Sequence, residues 1–268
     1  MLYRYGIKLG FKVLLRGHVK QAVRFLIIPV NYWRDIEYCL VYNASDFGRT
    51  DKILDVGSPK LLSLYLAKRL GAEVFSTDIE SYFVSLYTWL RRIENVSQEK
   101  FHVRVEDGRK LRFADNSFEK VYSISVIEHI PDDGDTECVK EIARVLKKGG
   151  VCAITVPFSP TPKVEYTEKD FYWSASSSVK SGQIFYQRRY NEDTLFERII
   201  VPSGLKLRQI QYVGDKVLIN SKRELSDFLP PLLGPLHPLL SRLFHSEITN
   251  SWRILKKPLC ALIVLEKQ

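Results

Sequence analysis

Three carboxylates, Asp55, Asp78 and Asp107, each stand at or just past the end of a short apolar run, one strand–helix repeat apart. A carboxylate that closes a buried strand needs hydrogen-bond donors to offset its desolvation, and hydroxyl or amino groups of a ligand can supply them. Gly57 follows the first of these residues, where the missing Cβ lets the backbone approach a ligand closely. Asp78 comes about 20 residues later, the spacing at which an acidic side chain accepts ribose hydroxyls in a nucleotide-binding sheet. Ile79 is its neighbour. Asp107 suits an adenine amino group, with Gly108 leaving room for the ring. A fourth run ends in Ser125, Val126, Ile127, Glu128 and His129, which would face the reactive end of the cofactor. An imidazole there, with an ordinary pKa near ~6.5, suits proton transfer. The competing role for His129 is packing at a helix start.

These residues need a scaffold that brings strand ends together. Apolar runs at 53–56, 73–76, 101–105, 120–125 and 151–156 alternate with helical spacing at 60–70, 82–93 and 137–146. Strands joined through helices of that length imply right-handed crossovers and a mostly parallel sheet. The fold class expected is α/β, a Rossmann-like sheet with helices on both faces. Ligands then bind at the carboxyl ends of the strands, beside the reversal of strand order. A helix at 193–200 and strands at 205–213 and 259–265 complete the pattern. Two segments interrupt it. Residues 158–190 are rich in aromatics, and residues 214–256 hold Pro230, Pro231, Pro235 and Pro238 among leucines.

At this point the chain resembles the class I S-adenosylmethionine-dependent methyltransferases, in particular their type 11 group. The resemblance is carried by Leu54 to Gly57, Ser76 to Asp78, Val105 to Gly108, the stretch FADNSFEKVYSISVIEHI (113–130) and the stretch EIARVLKKGGVCAITVP (141–157). It implies a seven-stranded sheet whose last strand, 259–265, runs antiparallel. The activity implied is transfer of a methyl group from S-adenosylmethionine to an O, N or C nucleophile. Asp78 and Ile79 would hold the ribose side, Asp107 and Gly108 the adenine, and Asp55, Gly57, Ser58 and Ser125 the methionine end. His129 is the candidate base. The family's first loop reads Asp/Glu-x-Gly-x-Gly-x-Gly, whereas here Gly57 is followed by Ser58, Pro59 and Lys60. Ser58 and helix N-terminal amides remain as donors, while Pro59 brings none. Some quinone-biosynthesis members bind a metal through a carboxylate four residues before this His. Ser125 occupies that place, so no metal is expected.

Composition narrows the partners. The four cysteines are scattered, with no C-x-x-C pair, which argues against zinc and disulfides and for a reducing compartment. No apolar run reaches the ~18–20 residues that cross a bilayer, and the start lacks a cleavable signal. A cytoplasmic protein is expected. The net charge is +9, and no acidic residue precedes Asp35. Arg4, Lys8, Lys12, Arg16, Lys20 and Arg24 recur every four residues among leucines, valines and phenylalanines. Residues 1–45 therefore read as a basic amphipathic extension on a 46–268 domain. It either packs its apolar side on that domain or lies on an anionic membrane surface. Nucleic acid is the weaker alternative, since no base-reading module accompanies the charge.

The 158–190 insert is expected to cover the substrate, or simply to pack. Arg188 and Arg189 are candidates for an anionic or hydroxyl-rich group, or a surface pair. Residues 229–243 read as a lid or a second membrane patch. The acceptor is expected to be small or lipid-linked. The competing function is a non-catalytic cofactor-binding or membrane-surface scaffold on the same fold.

Overall fold

A computed structural model describes residues 1–58, 60–168, 179–180, 182–215, 236, 239, 243 and 248–268, apart from the side chains of Tyr32, Val179 and Lys180. Pro59, most of the aromatic and Ser-rich part of the first insert, and most of the proline-rich second insert lie outside the described residues.

Three helices lead the chain: α1 (Leu2–Leu15), α2 (Val19–Ile27) and α3 (Tyr32–Ser45). The alternation follows as β1 (Lys52–Val56), α4 (Leu61–Tyr65) continued by a π-helical turn (Leu66–Leu70), β2 (Glu73–Asp78), α5 (Ser81–Ile93), β3 (Phe101–Val105), β4 (Phe118–Ile124), α6 (Gly134–Val145) and β5 (Leu146–Pro157). Then come β6 (Lys163–Thr167), β7 (Val179–Lys180), β8 (Gln183–Arg189), the short helices α7 (Glu192–Leu195) and α8 (Val201–Ser203), β9 (Lys206–Gly214) and β10 (Pro258–Glu266).

Seven strands form one sheet in the order β3-β2-β1-β4-β5-β10-β9. β1 pairs in parallel with both β2 and β4, while β10 runs antiparallel between β5 and β9. Chain order therefore reverses between β1 and β4, and the crevice of an open α/β sheet falls there. Alternating strand residues feed two cores. Leu262 and Val264 of β10 join the core beneath α1–α5, and Ala261, Ile263 and Leu265 join the core beneath α6. β6, β8 and β7 make a small antiparallel sheet from the first insert.

The N-terminal segment is part of the first core. Leu2, Leu9 and Val13 of α1 are buried, each contributing about 1.5–3 kcal/mol by area. Gly6 and Gly10 count against a helix by propensity, yet both sit inside α1. A Cβ on Gly6 would stand 2.4 Å from Pro29 Cβ, and one on Gly10 would stand 3.0 Å from Leu26 and Phe25. Close approach of α1 to the α2 segment requires those two glycines.

Candidate active site

The residues after β1 turn sharply. Gly57 has φ +71°, and a Cβ there would stand 2.6 Å from Val126 Cγ1. Beneath this turn Asp55 is fully buried and accepts from Ser58 N (3.0 Å), Ser76 Oγ (2.9 Å) and Ser63 Oγ. Burial pushes its carboxyl pKa up, against the opposing influence of Lys60 and of the neighbouring hydroxyls. The expectation that Asp55 touches the cofactor is corrected here. It lies outside the cavity wall, because its acceptors are already spent on holding the loop.

A cavity of about 720 Å³ opens at the β1/β4 reversal. Gly57, Ser58, Asp78, Ile79, Asp107, Gly108, Ser125 and His129 all line it. Ser58 Oγ accepts from Ile124 N at 2.7 Å, and its hydroxyl also serves the Asp55 carboxylate. Asp78 precedes α5, accepting from Glu80 N at 3.0 Å through Oδ1, while Oδ2 meets Lys60 Nζ at 2.9 Å. Both Asp107 oxygens take hydrogen bonds from the Arg109 side chain, which pulls that carboxyl below its usual range. Gly108 is also required by packing. A Cβ on it would meet Cys138 Sγ at 2.9 Å and Val56 at 3.3 Å, so close packing of α6 explains the glycine as well as any ligand does.

Lys60 was not singled out by sequence; it falls between the second and third glycine positions of the family's loop, held here by Pro59 and Leu61. It is 1% exposed, and Nζ reaches Ser58 O (3.0 Å), Thr77 O (2.6 Å) and Asp78 Oδ2 (2.9 Å). Three partners match the three protons of an ammonium. The lysine thus ties the β1 loop to the end of β2.

The N-terminal helices supply a second group that the motifs do not announce. Asn31 caps α3 by accepting from Arg34 N at 2.8 Å, which fixes Arg34, Glu37 and Tyr38 on one helical face. Glu37 is fully buried and accepts from Arg34, from Ser125 Oγ and from Thr155 Oγ1 (2.9 Å). Ser125 itself has φ +48°, a left-handed conformation that a serine adopts at a cost. Arg24, Phe25, Arg34 and Tyr38 of the N-terminal helices line the cavity as well. The sequence signal available for this group was the spacing 34/37/38 behind a capping asparagine.

His129 Nδ1 lies 2.8 Å from Tyr186 O. A carbonyl only accepts, so Nδ1 carries the proton and Nε2 keeps its lone pair. Burial lowers the imidazole pKa to about 4. Glu128, fully buried, has neither oxygen within hydrogen-bonding geometry of a donor among the described residues, and burial raises its pKa to about 8. Arg188 does not reach outward for an anion. Its guanidinium donates to Ile130 O and Asp132 O, fastening β8 beside the His129 turn, and Arg189 pairs with Glu165 at 2.9 Å. No cluster of metal-ligating side chains occurs among the described residues.

A switch-point cavity edged by Gly57, Asp78 and Asp107 on a sheet of this order defines the class I S-adenosylmethionine-dependent methyltransferase fold. A family model described as a methyltransferase domain matches residues 54–154, a little over a third of the chain.

Two curated relatives and one solved structure illustrate the likeness. Methyltransferase GfsG of Streptomyces halstedii is 29% identical over 115 residues, 42% of this chain and 40% of that protein. Cycloartenol-C-24-methyltransferase 1 of Oryza sativa subsp. japonica is 36% identical over 104 residues, 38% of this chain and 29% of that protein. The chain thus spans less than half the length of either relative. The crystal structure of the [4+2]-cyclase SpnF superposes with a TM-score of 0.57 over 87% of this chain and 80% of its own, at 16% identity, a likeness of fold.

Proposed function

We infer that the protein is an S-adenosylmethionine-dependent methyltransferase acting on an O, N or C nucleophile of a small or lipid-linked molecule. One observation carries the reading: side chains from the ends of β1, β2, β3 and β4 line a single cavity at the reversal of strand order.

The residues present fit that cofactor. The Gly57 turn keeps the loop clear of a side chain, and Asp78 presents a carboxylate already oriented by Lys60 and Glu80 N. Asp78 with Ile79 is assigned to the ribose side, Asp107 with Gly108 to the adenine side, and Gly57, Ser58 and Ser125 to the methionine side. When bound, the cofactor supplies an electrophilic methyl group on a sulfonium. The chain's own contribution is orientation, since holding two reactants in line removes most of the entropic barrier. His129 is assigned as the base for an oxygen or nitrogen nucleophile, a weak one given its lowered pKa, with Glu128 Oε1 3.7 Å from its Nε2.

The cavity lining also holds apolar and cationic side chains, Phe25, Ile28, Phe83 and Leu86 with Arg24 and Arg34. That lining suits an acceptor with an apolar body and a polar or anionic group. Sterol-type acceptors named for one relative have such a body. A lipid-linked acceptor would place the protein at a membrane face, held peripherally, because no described helix is long and apolar enough to span a bilayer.

Calorimetric titration of the full chain with S-adenosylmethionine tests the reading. Saturable binding, weakened at least tenfold in Asp78→Ala, is expected. Heat indistinguishable from dilution at millimolar cofactor removes both the enzyme and the cofactor-binding scaffold. Methyl-labelled cofactor incubated with lysate fractions then separates the two, since a scaffold transfers no label.

A further inference from the structure

The α1–α2 hairpin leaves apolar side chains in solvent after its core face is buried. Leu15 at the tip is 85% exposed, and Phe11, Leu14, Val19, Val23 and Ile27 are exposed as well. On α2, Val19, Val23 and Ile27 follow one another at four-residue steps, a single stripe. Ala22 is the buried residue of that helix. Such a stripe in water is unfavourable unless something covers it.

The charge around it is of one sign. Arg4, Lys8, Lys12, Arg16, Lys20 and Arg24 are all exposed, and no carboxylate occurs in the first 34 residues. Lys12 pairs with Glu94 at 3.0 Å. Cations interspersed with exposed leucine, valine and phenylalanine complement a surface that is anionic outside and hydrocarbon beneath.

The position of α2 adds a second observation. Gln21, Arg24, Phe25 and Ile28 line the cavity while Val19, Val23 and Ile27 face solvent, so α2 is a wall one helix thick between the two. Gln21 and Arg24, together with Ile79, Tyr82 and Phe83 at the start of α5, line the cavity and are exposed, and so form its rim. The His18 ring meets the Trp89 ring at 4.8 Å, joining the hairpin to α5. The apolar stripe and the exposed rim residues Gln21 and Arg24 therefore belong to one short helix.

We propose that the α1–α2 hairpin beds on an anionic lipid bilayer with the cavity rim turned toward it, so that a lipid-borne acceptor enters beside α2. The assignment deepens the lipid-linked reading of the acceptor and rests on it for its purpose, while its evidence is the surface itself.

The test is co-sedimentation of the full chain with phosphatidylcholine vesicles, with and without phosphatidylglycerol. Binding to the anionic vesicles is expected, with little to the neutral ones. Replacing Leu15→Ser, Val19→Ser and Val23→Ser together, or Arg16→Gln with Lys20→Gln, should each lower the partition coefficient about tenfold or more. None of these five side chains lines the cavity, so cofactor binding by calorimetry should be unchanged in both variants. A full chain that stays in the supernatant with both vesicles overturns the proposal, as does partition that neither variant alters. Concentration-dependent dimerisation abolished by the serine variant, without vesicle binding, assigns the stripe to a second copy and also overturns it. Vesicle binding without cofactor binding sinks the methyltransferase reading alone, and cofactor binding without vesicle binding sinks this proposal alone.

Discussion

Glu37 of α3 accepts a hydrogen bond from Ser125 at the end of β4, across 88 positions of sequence. The same carboxylate also receives Arg34 and Thr155, so one side chain of the N-terminal segment sets the geometry of the fourth and fifth strand ends. Cutting it back leaves Arg34 and two hydroxyls without their acceptor. Glu37→Ala is expected to lower unfolding stability by about 3 kcal/mol, the scale for breaking a buried ion pair. Urea denaturation of the variant checks this, and a loss under about 0.5 kcal/mol, typical of a surface change, contradicts it.

Lys60 ties the β1 loop to the end of β2 through three side-chain contacts. Lys60→Met keeps the apolar stem and removes the donors to Ser58 O, Thr77 O and Asp78. Cofactor affinity should fall at least tenfold in calorimetry, because the loop and Asp78 lose their common tie. Affinity equal to that of the parent chain would show that the loop holds itself.

Gly57→Ala combines a positive φ with a contact of 2.6 Å to Val126. Both faults should cost stability and weaken cofactor binding. Adding Val126→Ala relieves the contact and leaves the backbone strain, about 1–2 kcal/mol. The double variant is therefore predicted to recover part of the thermal midpoint lost by the single one. Full recovery would mean that φ carries no cost there.

His129 and Glu128 give a pH signature of opposite signs. The folded-state pKa of His129 is about 4, below its ordinary 6.5. Its stability contribution is complete above pH 6.5 and is lost as pH falls toward 4. Glu128 is raised from 4.5 to about 8. Its contribution is complete below pH 4.5 and is lost as pH rises through 8. Between 4.5 and 6.5 the two oppose each other. From 6.5 to 8 Glu128 acts alone, and stability should decline by roughly 2 kcal/mol. Glu128→Gln should flatten that decline in denaturant melts across the range, and an unchanged slope would rule Glu128 out as its source.

Most of the sheet was legible. The runs at 53–56, 73–76 and 101–105 coincide with β1–β3 to within two residues, because short apolar strands between glycines and polar turns carry their own period. The antiparallel direction of β10 came through the family resemblance, and its neighbours β5 and β9 emerged only with the fold. Asp78, Asp107 and Ser125 were expected at strand ends and are there. The burial of Asp55 was not legible, since a carboxylate at a strand end reads alike whether it faces a ligand or three protein donors.

By itself the sequence determined what local pattern and chemistry can encode: an α/β alternation, motifs of family resemblance between Leu54 and Pro157, and acidic groups at successive strand ends. Only the tertiary structure decided which side chains share a cavity, since that depends on contacts between residues distant in the chain. It brought Glu37 to Ser125, turned Arg188 toward the carbonyls of Ile130 and Asp132, set Lys60 against Asp78, and made the basic helices a wall of the cavity. Helical period fixes which faces a helix has. Packing alone selects which of them is covered, by what, and which remains in water.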